Sequence, residues 1–132
     1  MAAAAPKIIS REVFVHIIVD PKADEPIRVD PDRFWVSKKG NQEVMWHCTS
    51  TDPKDPHPAF TVKFDKKKVE KEDEKKYEKG SPFYEREFDR EHPCSGLVKR
   101  NVKPNRELLY HYTVTVVGVN RPPLDPAGGV WP

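Results

Sequence analysis

The stretch LLYHYTVTVVGV, residues 108–119, is the longest clean alternation in the chain. Tyr110, Tyr112, Val114 and Val116 fall on one side and His111, Thr113 and Thr115 on the other, the two-residue period of a strand with one face against a core. β-Branched and aromatic side chains occupy both sides, as a pleated, half-buried surface favours. The stretch therefore predicts a strand inside a sheet whose partners lie upstream.

Those partners can be found by the same periodicity. In VFVHIIVD (13–20), Val13, Val15, Ile17 and Val19 oppose Phe14, His16 and Ile18, so both faces are apolar and call for cover on each side or for an interface. PKADEP, with Pro21 and Pro26, is a break. Short extended pieces follow at Ile27–Val29 and Phe34–Ser37, then a turn at Lys39-Gly40-Asn41 and a strand from Glu43 to Cys48. In that strand Val44, Trp46 and Cys48 share a face, with Met45 and His47 on the other, and Trp46 is the natural buried aromatic. Residues 49–59 carry Pro53, Pro56 and Pro58 and exclude regular structure. Phe60, Val62 and Phe64 then form another inward row.

Residues 65–80, DKKKVEKEDEKKYEKG, hold only Val69 and Tyr77 as sizeable apolar side chains and fit either a charged surface helix with i,i+4 ion pairs or a loop. Ser81–Phe88 and Leu97–Val102 read as extended, and NRPPLDPAGGVWP at the end is a Pro/Gly-rich tail expected along the domain surface. About seven short strands with turns between them and no β-α alternation predict an all-β, Greek-key β-sandwich. The expected organisation is an N-terminal extension (1–10), a sandwich domain (11–119) carrying the charged insertion at 65–80, and a C-terminal tail (120–132).

Composition narrows the function. A chain of 132 residues suits one domain, and 36% hydrophobic against 33% charged residues demands a core drawn from a few well-placed strands under a charged exterior. Lys plus Arg (23) nearly cancels Asp plus Glu (21), leaving +2 and no general attraction to nucleic acid or membrane. No apolar run approaches the ~18–20 residues that span a bilayer. MAAAAPKIIS lacks the apolar centre of a signal peptide, so the expected compartment is cytoplasmic, with a periplasmic or exported location left open for a processed chain.

The runs IRVDPDRFWVSKKGNQEVMW (27–46), PAFTVKF (58–64) and YHYTVTV (110–116) together resemble the cupredoxin fold. Cupredoxins tend to show an early V-x-P segment, a K-G-D-like turn before a V-x-W strand, an H-T-V-x-F strand and a late Y-x-Y strand. Leu124-Asp125-Pro126 is also similar to the endings of bacterial cupredoxin-like proteins of unassigned function. The resemblance implies a copper site built from a His in the H-T-V-x-F strand and from Cys, His and Met after the Y-x-Y strand. Here the first position is Phe60, and T-V-T-V-V-G-V after Tyr112 contains none of the three. The expectation is a cupredoxin-like scaffold without copper or other cofactor, since scaffold does not carry function.

His47, Cys48, His92 and Cys94 supply a two-His, two-Cys set by composition, and a metal protein (zinc or copper) using Cys48, His92 and Cys94 is one alternative. Adjacent residues on a strand point to opposite faces, which separates His47 from Cys48 unless a bulge intervenes. A Cys48–Cys94 disulfide would need an oxidising compartment. Nucleophile elbows, H-E-x-x-H and phosphate loops are absent, and His16, His57 and His111 read as lone histidines. An enzyme with a site at the sandwich end is the second alternative.

Lys66–Lys68 is neutralised by the acids that follow, whereas Lys99, Arg100, Lys103 and Arg106 fall within eight residues without an acid. A solvated hairpin is the expected role of that run, and nucleic acid is not expected as a partner. What exceeds a plain sandwich is the terminal extensions and the insertion, and Val130-Trp131 offers an aromatic anchor. The leading expectation is a non-catalytic binding or accessory subunit. It would contact a protein partner or larger assembly through Trp131, Val130, the basic run and the insertion.

Overall fold

The computed structural model describes residues 11–64, 77–119 and 124–132. They form ten strands and, among the described residues, no helix. The strands are β1 (Glu12–Val19), β2 (Ile27–Asp30), β3 (Arg33–Ser37), β4 (Glu43–Ser50), β5 (Phe60–Lys63), β6 (Tyr77–Glu78), β7 (Glu87–Asp89), β8 (Leu108–His111), β9 (Thr113–Val116) and β10 (Ala127–Trp131). Three sheets result, ordered β2-β1-β4, β3-β10-β8-β6 and β7-β5-β9. The expected all-β sandwich is what the chain adopts.

The first sheet is one layer. β1 runs parallel to β4 along its whole length, from Glu12↔Glu43 to Val19↔Ser50, and antiparallel to β2. The other two sheets meet in the 108–116 stretch, which is two strands: the ladder breaks at Tyr112, where β8 pairs with β10 and β9 with β5. The inward row passes through the break unaltered, since Tyr110, Tyr112, Val114 and Val116 are all buried. The Tyr112 N–H, freed from both ladders, donates to the Pro126 carbonyl (3.1 Å).

Between the layers lies an aromatic centre. Trp46, 2% exposed, stacks on Phe88 with ring centroids 5.1 Å apart and meets Phe34, Phe64 and Tyr112 edge-on at 5.8–6.1 Å. These edge-to-face and stacked geometries are the favoured ones for aromatic quadrupoles. The expected meeting of Trp46, Phe64, Tyr112 and Val114 in one core is observed, with Phe60 also buried. Burial leaves the Tyr112 hydroxyl and the Trp46 indole N–H without a partner at hydrogen-bond geometry among the described residues. Burial pushes the Tyr112 phenol up, and the nearby Trp46 N–H offsets part of that shift.

Several boundaries differ from the sequence reading. The tail is not surface chain from 127 onward: β10 is an interior strand, parallel to β3 and antiparallel to β8. Its composition misleads because glycine is required there. A Cβ at Gly128 would lie 2.0 Å from the Phe34 ring, and one at Gly129 would lie 2.1 Å from the Trp35 ring. Two aromatic side chains of β3 thus lie over the glycines on opposite faces, supplying the apolar cover that the glycines lack. The 97–102 segment contributes a single bridge, Phe83↔Val98, instead of a strand, and the 81–88 piece shortens to β7. Tyr77 and Glu78, from the end of the charged insertion, pair with β8 as β6. The alternative of helix or loop for the insertion's first part, 65–76, lies outside the described residues, as does the extension 1–10.

Candidate functional site

The pleat that buries Val15, Ile17 and Val19 turns Phe14, His16 and Ile18 outward, and the parallel register sets Phe14 beside Met45, His16 beside His47 and Ile18 beside Thr49. No strand of the described residues covers this face, and Phe14 is 59% exposed. Proline-containing segments run along the edge of β4 that faces away from β1. Near the start of β4 the Trp46 backbone N–H donates to the Pro93 carbonyl (3.0 Å) and Ser95 exchanges bonds with Val44, its N–H to the Val44 carbonyl (2.8 Å) and its hydroxyl from the Val44 N–H (2.7 Å). Near its end the Ser50 N–H donates to the Pro56 carbonyl (2.9 Å). The result is a groove of about 670 Å³ lined by Phe14, Met45, Pro58, Phe60 and Pro93, with three histidines and Arg90 as its polar groups. Its size and apolar lining are those of a ligand-binding cleft.

The histidines form a row across the strands. The rings of His16 and His47 stack with centroids 5.4 Å apart, and His57 from the proline-rich loop follows at 5.6 Å from His47. The ends of the row are fixed: His16 Nε2 lies 2.6 Å from the Thr49 hydroxyl, and His57 Nδ1 donates to the Cys48 carbonyl (3.3 Å). Desolvation, and then the neighbouring His47, hold His16 below the ordinary histidine range, with Asp30 opposing both. Arg90 spans the rim, its Nη1 donating to the His57 carbonyl (3.2 Å) and its Nε to Glu91 (3.3 Å).

Sequence reasoning treated His16 and His57 as lone residues and assigned His47 to another set. The available signal was parity: His16 and His47 both sit at outward positions of long apolar strands, where a non-core role is the simplest one. The parallel pairing that brings them together is tertiary and has no local signature.

The two-His, two-Cys set does not assemble. His47 is exposed on the outer face while Cys48, 3% exposed, points into the core, as strand alternation requires. His92 lies on the surface beside Asp89 (3.4 Å), and Cys94 bridges to Met45 in backbone register with its thiol donating to Glu43 (3.1 Å). Both thiols are free. Burial pushes the Cys48 thiol up to about 11, with Asp55 adding, and burial also raises Cys94. Burial thus holds both toward the thiol form. Among the described residues no three His, Cys, Asp or Glu side chains converge on a cation site.

The expected partner contacts scatter. Val130 is fully buried in β10, which removes it as a contact, while Trp131 is 47% exposed. In the basic run, Lys99 is half-buried, Arg100 and Lys103 are exposed, and Arg106 approaches Glu78 at 3.9 Å. Lys38 Nζ donates to the carbonyls of Arg100 and Val102, pinning the run to the β3 end. A second cleft, about 490 Å³, lies by Asp32, Arg33, Tyr77, His111 and Asp125. There the His111 ring lies 3.7 Å from that of Tyr77 and Asp125 accepts from the Thr113 hydroxyl (3.3 Å). Among the described residues no helix is long and apolar enough to cross a membrane. No protein-family model, curated protein or solved structure matches the chain.

Proposed function

We propose that this protein is a non-catalytic binding or accessory module on a copper-free cupredoxin-like sandwich, and that its partner is a protein received on the outer face of β1 and β4. The single observation behind the reading is Phe14, a large aromatic 59% exposed at the mouth of a mostly apolar groove. Large exposed apolar surface of this kind marks interaction sites, and buried aromatics dominate interface energetics. The C-terminal segment serves this role less well than the sequence suggests, because Val130 is buried in β10 and Trp131 is its exposed large apolar side chain among the described residues.

The cupredoxin-like part of the proposal rests on the motif order and on Phe60. That side chain stands where the family's copper histidine is expected, is 4% exposed, and joins the core cluster. An apolar ring packed there leaves the position without a ligand and fills its space.

The test is affinity capture from an extract of the native cells with the wild-type chain and with Phe14→Glu. The reading expects a partner retained by the first and lost by the second, at unchanged thermal stability. Retention of the same proteins by both chains overturns it.

A further inference from the structure

The groove specifies more than a greasy contact. Among the described residues that line it there is no carboxylate, whereas Arg90 is a cation and His16, His47 and His57 bring ring nitrogens. This is notable in a chain whose acids (21) nearly equal its Lys and Arg (23). Three acids act on lining residues without lining the groove themselves: Glu91 pairs with Arg90, Asp30 acts on His16 from β2, and Asp55 acts on Cys48. Apolar side chains make the floor and walls, from Phe14 and Met45 to Pro58 and Pro93. Resting on the partner reading above, we infer that the groove receives a polypeptide segment in which an aromatic or aliphatic side chain is followed by a carboxylate. The apolar side chain lies against Phe14 and Met45, and the carboxylate accepts from Arg90, His16 and His47.

The groups are already placed for this. The Cys48 carbonyl takes the His57 Nδ1–H, so His57 Nε2 donates only when that ring is protonated, whereas His16 Nε2 meets the Thr49 hydroxyl and, accepting from it, leaves Nδ1–H as a donor. His47, between them, is exposed. Arg90 gives Nη1 to the His57 carbonyl and Nε to Glu91, which orients the guanidinium with Nη2 left as a donor. A carboxylate is the acceptor that matches a guanidinium and imidazole N–H groups together, and electrostatic complementarity of this type sets specificity more than raw affinity. A segment ending in lysines would meet Arg90 with like charge. Bound polypeptide also suits the groove's form, which is open along the β1–β4 seam and bordered by the proline segments at the β4 edge.

The experiment titrates the ¹⁵N-labelled full chain with three acetylated, amidated peptides that share an Ala-Leu-Phe core and end in Glu-Glu, Gln-Gln or Lys-Lys. The expected result is amide shift changes centred on Phe14, Met45 and His47. The Glu-Glu peptide should bind about tenfold more tightly than the Lys-Lys peptide, and Arg90→Glu should abolish or reverse that order. Phe14→Ser should weaken all three alike. Preserved spectra of both variants show that they fold. Equal affinity for the three peptides at the groove overturns the carboxylate inference and leaves the docking face standing. Binding elsewhere, or none, overturns the inference while a Phe14-dependent partner in the capture experiment still supports the reading. A concentration-dependent dimer in sedimentation, dissociated by Phe14→Glu, assigns the face to a second copy of the chain and overturns it too.

Discussion

The two faces of the β1–β4 pair are made from similar sequence and have opposite fates. Inward, Val15, Ile17 and Val19 of β1 and Val44, Trp46 and Cys48 of β4 are buried to within 3% of completely. Outward, Phe14 and His47 stand in the open, and His16, Ile18 and Met45 are half-covered. Hydropathy alone does not separate the two rows of β1. What separates them is the second layer, which among the described residues lies on one side only, so an apolar outer row is left as surface.

The strongest way to break the comparison is to remove matched aromatics. Trp46→Ala takes away the ring that touches Phe34, Phe64, Phe88 and Tyr112, and should cost about 3 to 5 kcal/mol, a large part of a small domain's stability. Urea denaturation measures it. A variant that unfolds at the parental midpoint would show that the aromatic centre is not the core.

The next contrast uses neighbouring glycines. Alanine at Gly128 drives its methyl into the Phe34 ring, which is 1% exposed and hemmed in by Trp46, Phe64, Phe83 and Tyr112. Alanine at Gly129 meets the Trp35 ring on the other face, which is only half-buried and can swing away. Overpacking of this kind costs about 1 to 3 kcal/mol where the neighbour cannot move, so Gly128→Ala should be the more damaging in thermal melts. Equal losses would mean that Trp35 is held as firmly as Phe34.

These two glycines also show where the sequence stopped being legible. The sandwich, the inward rows and the place of Trp46, Phe60, Phe64 and Tyr112 follow from a two-residue period that each strand carries within itself. β10 carries no such signal, because its glycines are chosen for aromatic rings on a strand about ninety residues earlier in the chain. The break at Tyr112 was equally invisible, since the pattern of buried side chains continues through it while the hydrogen-bond partners change. The site was legible only in part. The apolar faces of 13–20 call either for cover on both sides or for an interface, but His57 joins His16 and His47 through a loop whose path the prolines permit and do not specify.

Titration separates inner from outer groups a third time. Burial, with Glu78 adding, pushes the Tyr110 phenol up to about 12, above the ordinary value near 10. Between these values the unfolded chain has released the proton and the folded chain holds it, so stability is fully present below about pH 10 and falls as pH rises toward 12. Tyr112 is shifted in the same direction by its own burial. Tyr110→Phe should therefore flatten, without abolishing, the alkaline loss of stability followed by urea midpoints across that range. An unchanged slope would place the Tyr110 hydroxyl in water.

The smallest expected effect is the most informative about function. Phe14 is 59% exposed and belongs to no described aromatic pair, so its ring leaves little water behind on folding. Replacement by serine should change stability by no more than about 0.5 kcal/mol, the range of ordinary surface substitutions. It should also lower the retention of the chain on apolar matrices, because the largest outward ring of the groove is gone. Trp131→Ala, at the other exposed aromatic, should likewise leave the melting temperature nearly unchanged, which separates residues kept for contact from residues kept for packing. If Phe14→Ser instead costs as much as a core truncation, the ring is covered by part of the chain itself. The outer face would then be a second core, and the contrast between the two faces of β1 and β4 would disappear.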